Sequence, residues 1–472
     1  MLFRVFALAA WLGSQVAALT PPSKDPWYDQ PANISAYGPG DLIRSRSVEN
    51  ALHPYGPVGK ISVESVVQYL YRTTDSKGKP VAAATTLIVP HNADPEKLLV
   101  YETFYDANNP DCSPSYSLRP GSSFETKDQF LPSVNQPLDL AFVSQFSPMV
   151  SYLIMTKTKL MLLTIQLAAS LQQGWWIMTP DYEGLDARFA VGLLSGHATL
   201  DSTRVALREG PKVGLSKTAR YAMWGYSGGA LAVEWAAELQ PSYAPELKFE
   251  GAALGGLLPN LTSAIETINM GPFSGAAFVI VIGISKAYPE FREWLMDSLI
   301  GDKRSQFFAA ANSCIFGEVL TGAIHDIFSF FSQGRTAFLD DVPRSTLDTV
   351  GQMGTVGKPT MPMYVYKGVL DEISPVTDTD QLVDSYCNNG EPSSIEYHRI
   401  LAAEHVSAAV LGSADALDWL TDRLDGKPLN NPDSCHRRTT LAMDIKPKAI
   451  KYFGTEAYAT LVSLFGGTLS PF

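Results

Sequence analysis

Trp224-Gly225-Tyr226-Ser227-Gly228-Gly229-Ala230 is the stretch from which the rest of the chain is read. It matches G-x-S-x-G, with Ser227 at the centre. Before it, Ala219 to Trp224 reads as a short buried strand. After it, Ala230 to Leu239 sets Ala, Leu, Val and Trp at helical spacing. Strand, tight turn and helix form the setting in which this motif holds a serine hydroxyl clear of a sheet on a strained turn. Gly225, Gly228 and Gly229 then stand where a side chain would strike neighbouring backbone. Without that setting, the same residues are an ordinary Gly-rich connection.

A serine hydroxyl is a weak nucleophile near neutral pH and needs an adjacent base. The base needs a carboxylate that fixes its tautomer and stabilises its charged form. In a strand–turn–helix serine site the expected chain order is serine, acid, histidine. Three of the seven histidines follow the acid region: His398, His405 and His436. His398 lies inside the strand expected over Ile395 to Ile400, and His436 is tied beside Cys435. His405 stands after that strand and before the helix expected over Ala408 to Leu424, so it is the candidate base. Asp371 holds the matching place after the strand Met363 to Tyr366. Glu372 is its nearest rival, while Asp378 and Asp380 open the following helix. Asp181 and Glu183 precede Ser227, which is the wrong order for the acid, and read as loop anchors.

Two backbone N–H groups are expected to hold the oxyanion. One belongs to Gly228. The other comes from the loop after an early core strand. Leu98 to Phe104 is such a strand and Tyr105-Asp106-Ala107-Asn108-Asn109 follows it. By pattern alone, Asp106 is an ordinary turn aspartate.

The chain has 472 residues and a formal net charge of -12. Its pI of about 5.1 makes nucleic acid and anionic membrane poor partners. Arg4, the apolar run Val5 to Leu12 and Val16-Ala17-Ala18 have the form of a secretory signal peptide, with the mature chain expected to start near Leu19. No segment reads as a membrane span. In an oxidising compartment the four cysteines suggest two disulfides. Of three pairings, Cys387 with Cys435 and Cys112 with Cys314 are favoured. Asn33-Ile34-Ser35 and Asn260-Leu261-Thr262 are glycosylation sequons. No C-x-x-C or H-E-x-x-H occurs, so no metal and no cofactor are expected.

The expected organisation is a signal peptide (1–18), an irregular Pro/Gly/Tyr-rich arm (19–60), the first part of an α/β core (61–259), an insertion (260–350), the second part of the core (351–429) and a tail (430–472). The insertion is apolar and mostly helical, and too long for an ordinary connection. It reads as a cap whose phenylalanines are either cap core or acyl-pocket lining.

With these residues placed, the chain resembles the fungal secretory lipase family from about Tyr69 to Leu424. Tyr105-Asp106 before Cys112-Ser113-Pro114-Ser115-Tyr116, Gly174-Trp175, Pro180-Asp181-Tyr182-Glu183-Gly184, Leu200-Asp201 with Arg204, Gly225 to Gly229, Asp371-Glu372 and Glu404-His405 carry the likeness. The resemblance implies an α/β-hydrolase core sheet flanked by helices, with a mainly helical cap or lid and a C-terminal flap. It also implies an oxyanion role for Asp106. The expected activity is hydrolysis of acylglycerol esters at a lipid–water interface. A small soluble ester is the alternative substrate, and a secreted binding protein on a disabled hydrolase fold is the alternative of another class.

Val150 to Gln166, VSYLIMTKTKLMLLTIQ, departs from that pattern. Lys157 and Lys159 interrupt it, and the flanking sequence joins sensibly without it. Val-Ser is encodable as GTGAGT, Leu163-Thr164 can contain CTGAC, and Gln166 is encodable as CAG. The stretch therefore has the form of a short unspliced intron of seventeen codons, with a surface insertion as the alternative.

Overall fold

The computed structural model describes residues 19–53, 61–122, 166–388, 394–432 and 434–441. Among them, ten strands form one sheet. They are β1 (Leu42–Ser47), β2 (Ser65–Thr74), β3 (Pro80–Val89), β4 (Asp94–Glu102), β5 (Trp175–Pro180), β6 (Arg220–Tyr226), β7 (Ala252–Gly255), β8 (Met363–Gly368), β9 (Ile395–Leu401) and β10 (Cys435–Leu441). Their order across the sheet is β1-β2-β3-β5-β4-β6-β7-β8-β9-β10. From β5 to β10 each neighbouring pair is parallel. The first three strands form an antiparallel extension that joins at β5.

The central parallel strands show no alternation. WWIMTP, AALG and MYVYKG are unbroken runs, and each is buried along its whole length. A strand covered by helices on both faces has no solvent side and so no alternation. The covering helices include α1 (Gly192–Glu209), α2 (Gly228–Tyr243), α7 (Val376–Asn388) and α8 (His405–Leu424).

Sequence order reverses around β4, which lies between β5 and β6. A crevice opens at such a switch point, beyond the carboxyl ends of the strands. Glu102 pairs with Gly225, Tyr226 with Gly255, Gly255 with Tyr366, and Gly368 with Ile400. The loops that leave β4, β6, β8 and β9 therefore emerge side by side.

Between β7 and β8 lie α3 (Leu261–Ile268), α4 (Gly275–Ala287), α5 (Pro289–Ser298), the helix Ile315–Gly322 and α6 (Asp341–Val350). Aromatic packing holds this cap together. The Phe278 ring lies 5.0 Å from both Phe307 and Phe330, and Trp294 stacks on Phe331 at 5.6 Å. These phenylalanines form cap core, one of the two expected alternatives.

Three expectations change. The arm is not wholly irregular, because Leu42–Ser47 pairs with β2 as an edge strand. Alternating Arg44 and Arg46 disguise it: both are half-buried, Arg44 bonding to the Pro26 and Asp29 carbonyls and Arg46 to Asp25. The tail also starts differently: Cys435–Leu441 is the opposite edge strand, parallel to β9, and residues 442–472 of the expected flap lie outside the described residues. Finally, of the candidate intron only Gln166 is described. It is buried, accepts from the Tyr101 hydroxyl at 2.8 Å and donates to Ser413 Oγ at 2.6 Å. An amide satisfied at both ends makes Gln166 an integrated core residue, which alters the expectation at that one position. Residues 150–165 and the signal peptide lie outside the described residues.

Cys112 bonds to Cys314, fastening the segment after β4 to the cap. Cys387 bonds to Cys435, fastening α7 to β10. Asn33 is exposed. Asn260 is half-buried and caps α3, its side-chain oxygen accepting from the Ser263 N–H at 3.1 Å.

Candidate active site

Ser227 sits between β6 and α2 with φ of 55°, the left-handed region that costs a non-glycine residue energy. The Ser227 N–H donates to the Gly255 carbonyl at 2.9 Å, which pins the turn to β7. A Cβ on Gly225 would run into the carbonyl of Gly229. The turn is thus held in its sharp shape by the sheet on one side and by glycine contacts on the other.

His405 Nε2 lies 2.9 Å from Ser227 Oγ, and His405 Nδ1 lies 2.7 Å from Asp371 Oδ2. His405 does not stand in a loop, as expected, but is the first residue of α8. Glu404 and Ser407 form a reciprocal capping box that starts the helix there. Glu372, the rival acid, turns away from the ring and accepts the His405 backbone N–H at 2.7 Å. The Tyr226 hydroxyl donates to the His405 carbonyl. His398 is elsewhere, buried and bonded to the Tyr364 hydroxyl at 2.6 Å. His436 lies in edge strand β10.

Burial alone would raise the Asp371 carboxyl. The opposing charges of His405 and Lys367, with the hydrogen bond from His405 and the Ser374 N–H, outweigh it and hold the group well below the usual carboxylate range. An ionised Asp371 makes Nδ1 the protonated ring nitrogen. Nε2 is then left as an acceptor for the Ser227 hydroxyl, the arrangement that general-base activation requires.

Asp106 and Gly228, the two residues expected at the oxyanion, meet in space. A Cβ on Gly228 would strike the Asp106 carboxylate. Gly228 opens α2, so its N–H has no carbonyl one turn back to bond. Asp106 has φ of 38°, and its loop is braced from two sides. The Glu183 carboxylate accepts from the Ala107 N–H at 3.2 Å, and the Glu183 N–H donates to the Tyr105 hydroxyl at 2.8 Å. From the cap, Lys286 Nζ donates to the carbonyls of Asn108 and Asp186 at 2.5 and 2.8 Å. Asn108 Nδ2 donates to the Val279 carbonyl at 2.8 Å. Asp181 anchors the neighbouring turn, accepting from Ser115 N and Oγ at 2.9 and 2.5 Å. Among the described residues, no cluster of three or more His, Cys, Asp or Glu side chains could hold a metal ion.

A model of the family described as "Secretory lipase" matches residues 151–431. The chain belongs to the secretory lipase family. Lipase A of Arthroderma benhamiae is 34% identical over 96% of this chain and 89% of its own length. Lipase 2 of Candida albicans is 32% identical over 96% and 91%. The X-ray structure of Candida antarctica lipase A in its closed state superposes with a TM-score of 0.74 at 26% identity, covering 95% of this chain and 96% of that one. A rice cell wall degrading esterase from Xanthomonas oryzae, 14% identical with a TM-score of 0.56, shares the fold. This secretory lipase therefore has an α/β-hydrolase core and is a carboxylic ester hydrolase.

Two elements of the site escaped the sequence reading. Lys367 is wholly buried beside Asp371, with Nζ 2.9 Å from Oδ2. Its signal was present: one charge inside the otherwise uncharged run MYVYKG. Lys286 is a second lysine whose partners are backbone carbonyls, which no residue pattern announces.

Proposed function

We propose that this secretory lipase hydrolyses acylglycerol esters through a Ser227–His405–Asp371 triad. The continuous hydrogen-bonded line from Ser227 Oγ through the His405 ring to Asp371 Oδ2, at 2.9 and 2.7 Å, carries the reading. Ser227 Oγ attacks the ester carbonyl carbon while His405 Nε2 takes its proton. The carbonyl oxygen becomes an oxyanion against the N–H groups of Gly228 and Asp106. As the bond to the alcohol oxygen breaks, Nε2 returns its proton to that oxygen. The product is an acyl ester on Ser227. Water then attacks the same carbonyl, Nε2 takes its proton, and the acid leaves as Ser227 regains its hydrogen. Asp371 keeps its charge throughout and stabilises the imidazolium.

The lipase names of the relatives support an acylglycerol substrate, and the family description, with the sequence of residues 1–18, supports secretion. A fluorophosphonate should label the wild-type protein once per chain, and Ser227→Ala should abolish labelling. Rates across acyl chain lengths, with and without an emulsion, test the substrate. A preference for acetyl esters with no gain at the interface would defeat the acylglycerol assignment. N-terminal sequencing of protein from the culture medium should begin near Leu19.

A further inference from the structure

Lys367 lies at the end of β8 with its side chain fully buried. Its ammonium has three donors. One reaches Asp371 Oδ2 at 2.9 Å and another the Leu257 carbonyl at 2.8 Å. Asp371 Oδ2 is the same oxygen that accepts from His405 Nδ1, at 2.7 Å. Asp371 Oδ1 is occupied by the backbone N–H groups of Ile373 and Ser374, at 3.0 and 2.9 Å. All four donors converge on one carboxylate, and one of them belongs to a lysine side chain. A carboxylate needed only for orienting His405 requires no second cation, and burying one is costly unless it is paired.

We infer that Lys367 is a positioning residue that shares Asp371 Oδ2 with His405 and thereby sets the acidity of the candidate base. This rests on the triad reading. Lys367 draws off part of the Asp371 charge and places a positive charge near the ring. Both disfavour the imidazolium, so His405 stays unprotonated, and able to take the Ser227 proton, to lower pH. The same effect makes the imidazolium a better acid toward the leaving alcohol. Among the described residues, the other charged or titratable groups at the ring and its loops are Glu372 on the His405 N–H, Glu404 at the helix cap, Tyr226 on the His405 carbonyl, and Asp106 across Gly228. Lys367 is the one cation among these groups.

The test is the pH dependence of fluorophosphonate inactivation, which reads Ser227 activation without deacylation. Wild type, Lys367→Met, Lys367→Gln and Lys367→Arg are compared from pH 4 to 9, with near-UV circular dichroism to establish folding. Wild-type labelling that Ser227→Ala abolishes secures the triad reading independently of the lysine. In both neutral variants the midpoint of the acid limb should move up by about one pH unit. Lys367→Arg should hold it near the wild-type value. A folded neutral variant that reacts slowly with an unmoved midpoint overturns the inference. Failure of both neutral variants to fold also overturns it, assigning Lys367 to stability alone.

Discussion

Replacing Asp371 with Asn separates the charge of the site from its shape. The Asp371 carboxylate now accepts from His405 Nδ1 at 2.7 Å, Lys367 Nζ at 2.9 Å, and the Ile373 and Ser374 N–H groups at 3.0 and 2.9 Å. An amide of the same outline has one accepting oxygen. If that oxygen faces the two backbone groups, its own N–H groups face Lys367 and His405, donor against donor. Lys367 is then a buried ammonium without a counter-ion, which costs about 3–5 kcal/mol. His405 is also pushed toward the wrong tautomer, which costs on the order of 10⁴ in rate in a triad of this kind. Asp371→Asn with Lys367→Met removes both charges. It should recover about 2 kcal/mol or more of the lost stability but little of the rate. Urea unfolding at pH 7 measures the stabilities, and the seven tryptophans after residue 18 supply the fluorescence signal. The depressed Asp371 carboxyl contributes stability that is complete above its unfolded value of about 4 and is lost as pH falls toward its folded value. The penalty of the single variant should therefore shrink below pH 4. A loss under about 1 kcal/mol for Asp371→Asn, or strictly additive single and double variants, would refute the claim that these charges hold each other.

Ser227→Gly should abolish activity yet stabilise the protein by about 1 kcal/mol, because Gly relieves the left-handed turn; calorimetry checks it. Asp181 is pushed up to about 7, mainly by burial. Between about pH 4 and 7 the unfolded chain ionises this group while the native one does not, so its contribution to stability falls as pH rises. Asp181→Asn should flatten the stability–pH slope in that window, by at most about 4 kcal/mol, as read from urea midpoints. Gln166→Leu removes the acceptor of the Tyr101 hydroxyl and the amide donor to Ser413 Oγ and should cost about 1–3 kcal/mol in the same assay. Lys286→Met releases the carbonyls of Asn108 and Asp186. Steady-state kinetics should show kcat on a soluble ester falling on the order of 10–100-fold, with fluorophosphonate labelling still reaching one per chain.

The strands that lead to Ser227, Asp371 and His405, and the chain order of those residues, were legible because both leave local marks. Buried strands are mostly apolar, and loops after them carry polar side chains. Edge strands leave weaker marks. Leu42–Ser47 and Cys435–Leu441 both carry arginines, and the second is largely solvated, so they read as arm and tail. His405 read as a loop residue because the helix start is set by the side chains of Glu404 and Ser407, which the following apolar spacing does not reveal. Lys367 stood out as a charge, but its partner depends on how β8 meets the loop after it. Lys286 bonds to carbonyls, and carbonyls belong to every residue.

The four loops of the site are not held in the same way. The turns bearing Ser227, Asp371 and His405 inherit their places from adjacent strands through sheet register. The Asp106 loop leaves a strand of that sheet too, but its far side rests on the cap. Asn108 bonds to Val279, Lys286 caps Asn108 and Asp186, and a Cβ on Gly283 would strike the Phe189 carbonyl. Shifting α4 would break these bonds together and drag the Asp106 loop with it. Transition-state stabilisation depends on donors that are already in place when charge develops. Helix α4 therefore belongs to the fixed frame of the site. Under the proposed acylglycerol activity, a path for a long acyl chain has to open among other parts of the cap, away from the seam between α4 and the Asp106 loop.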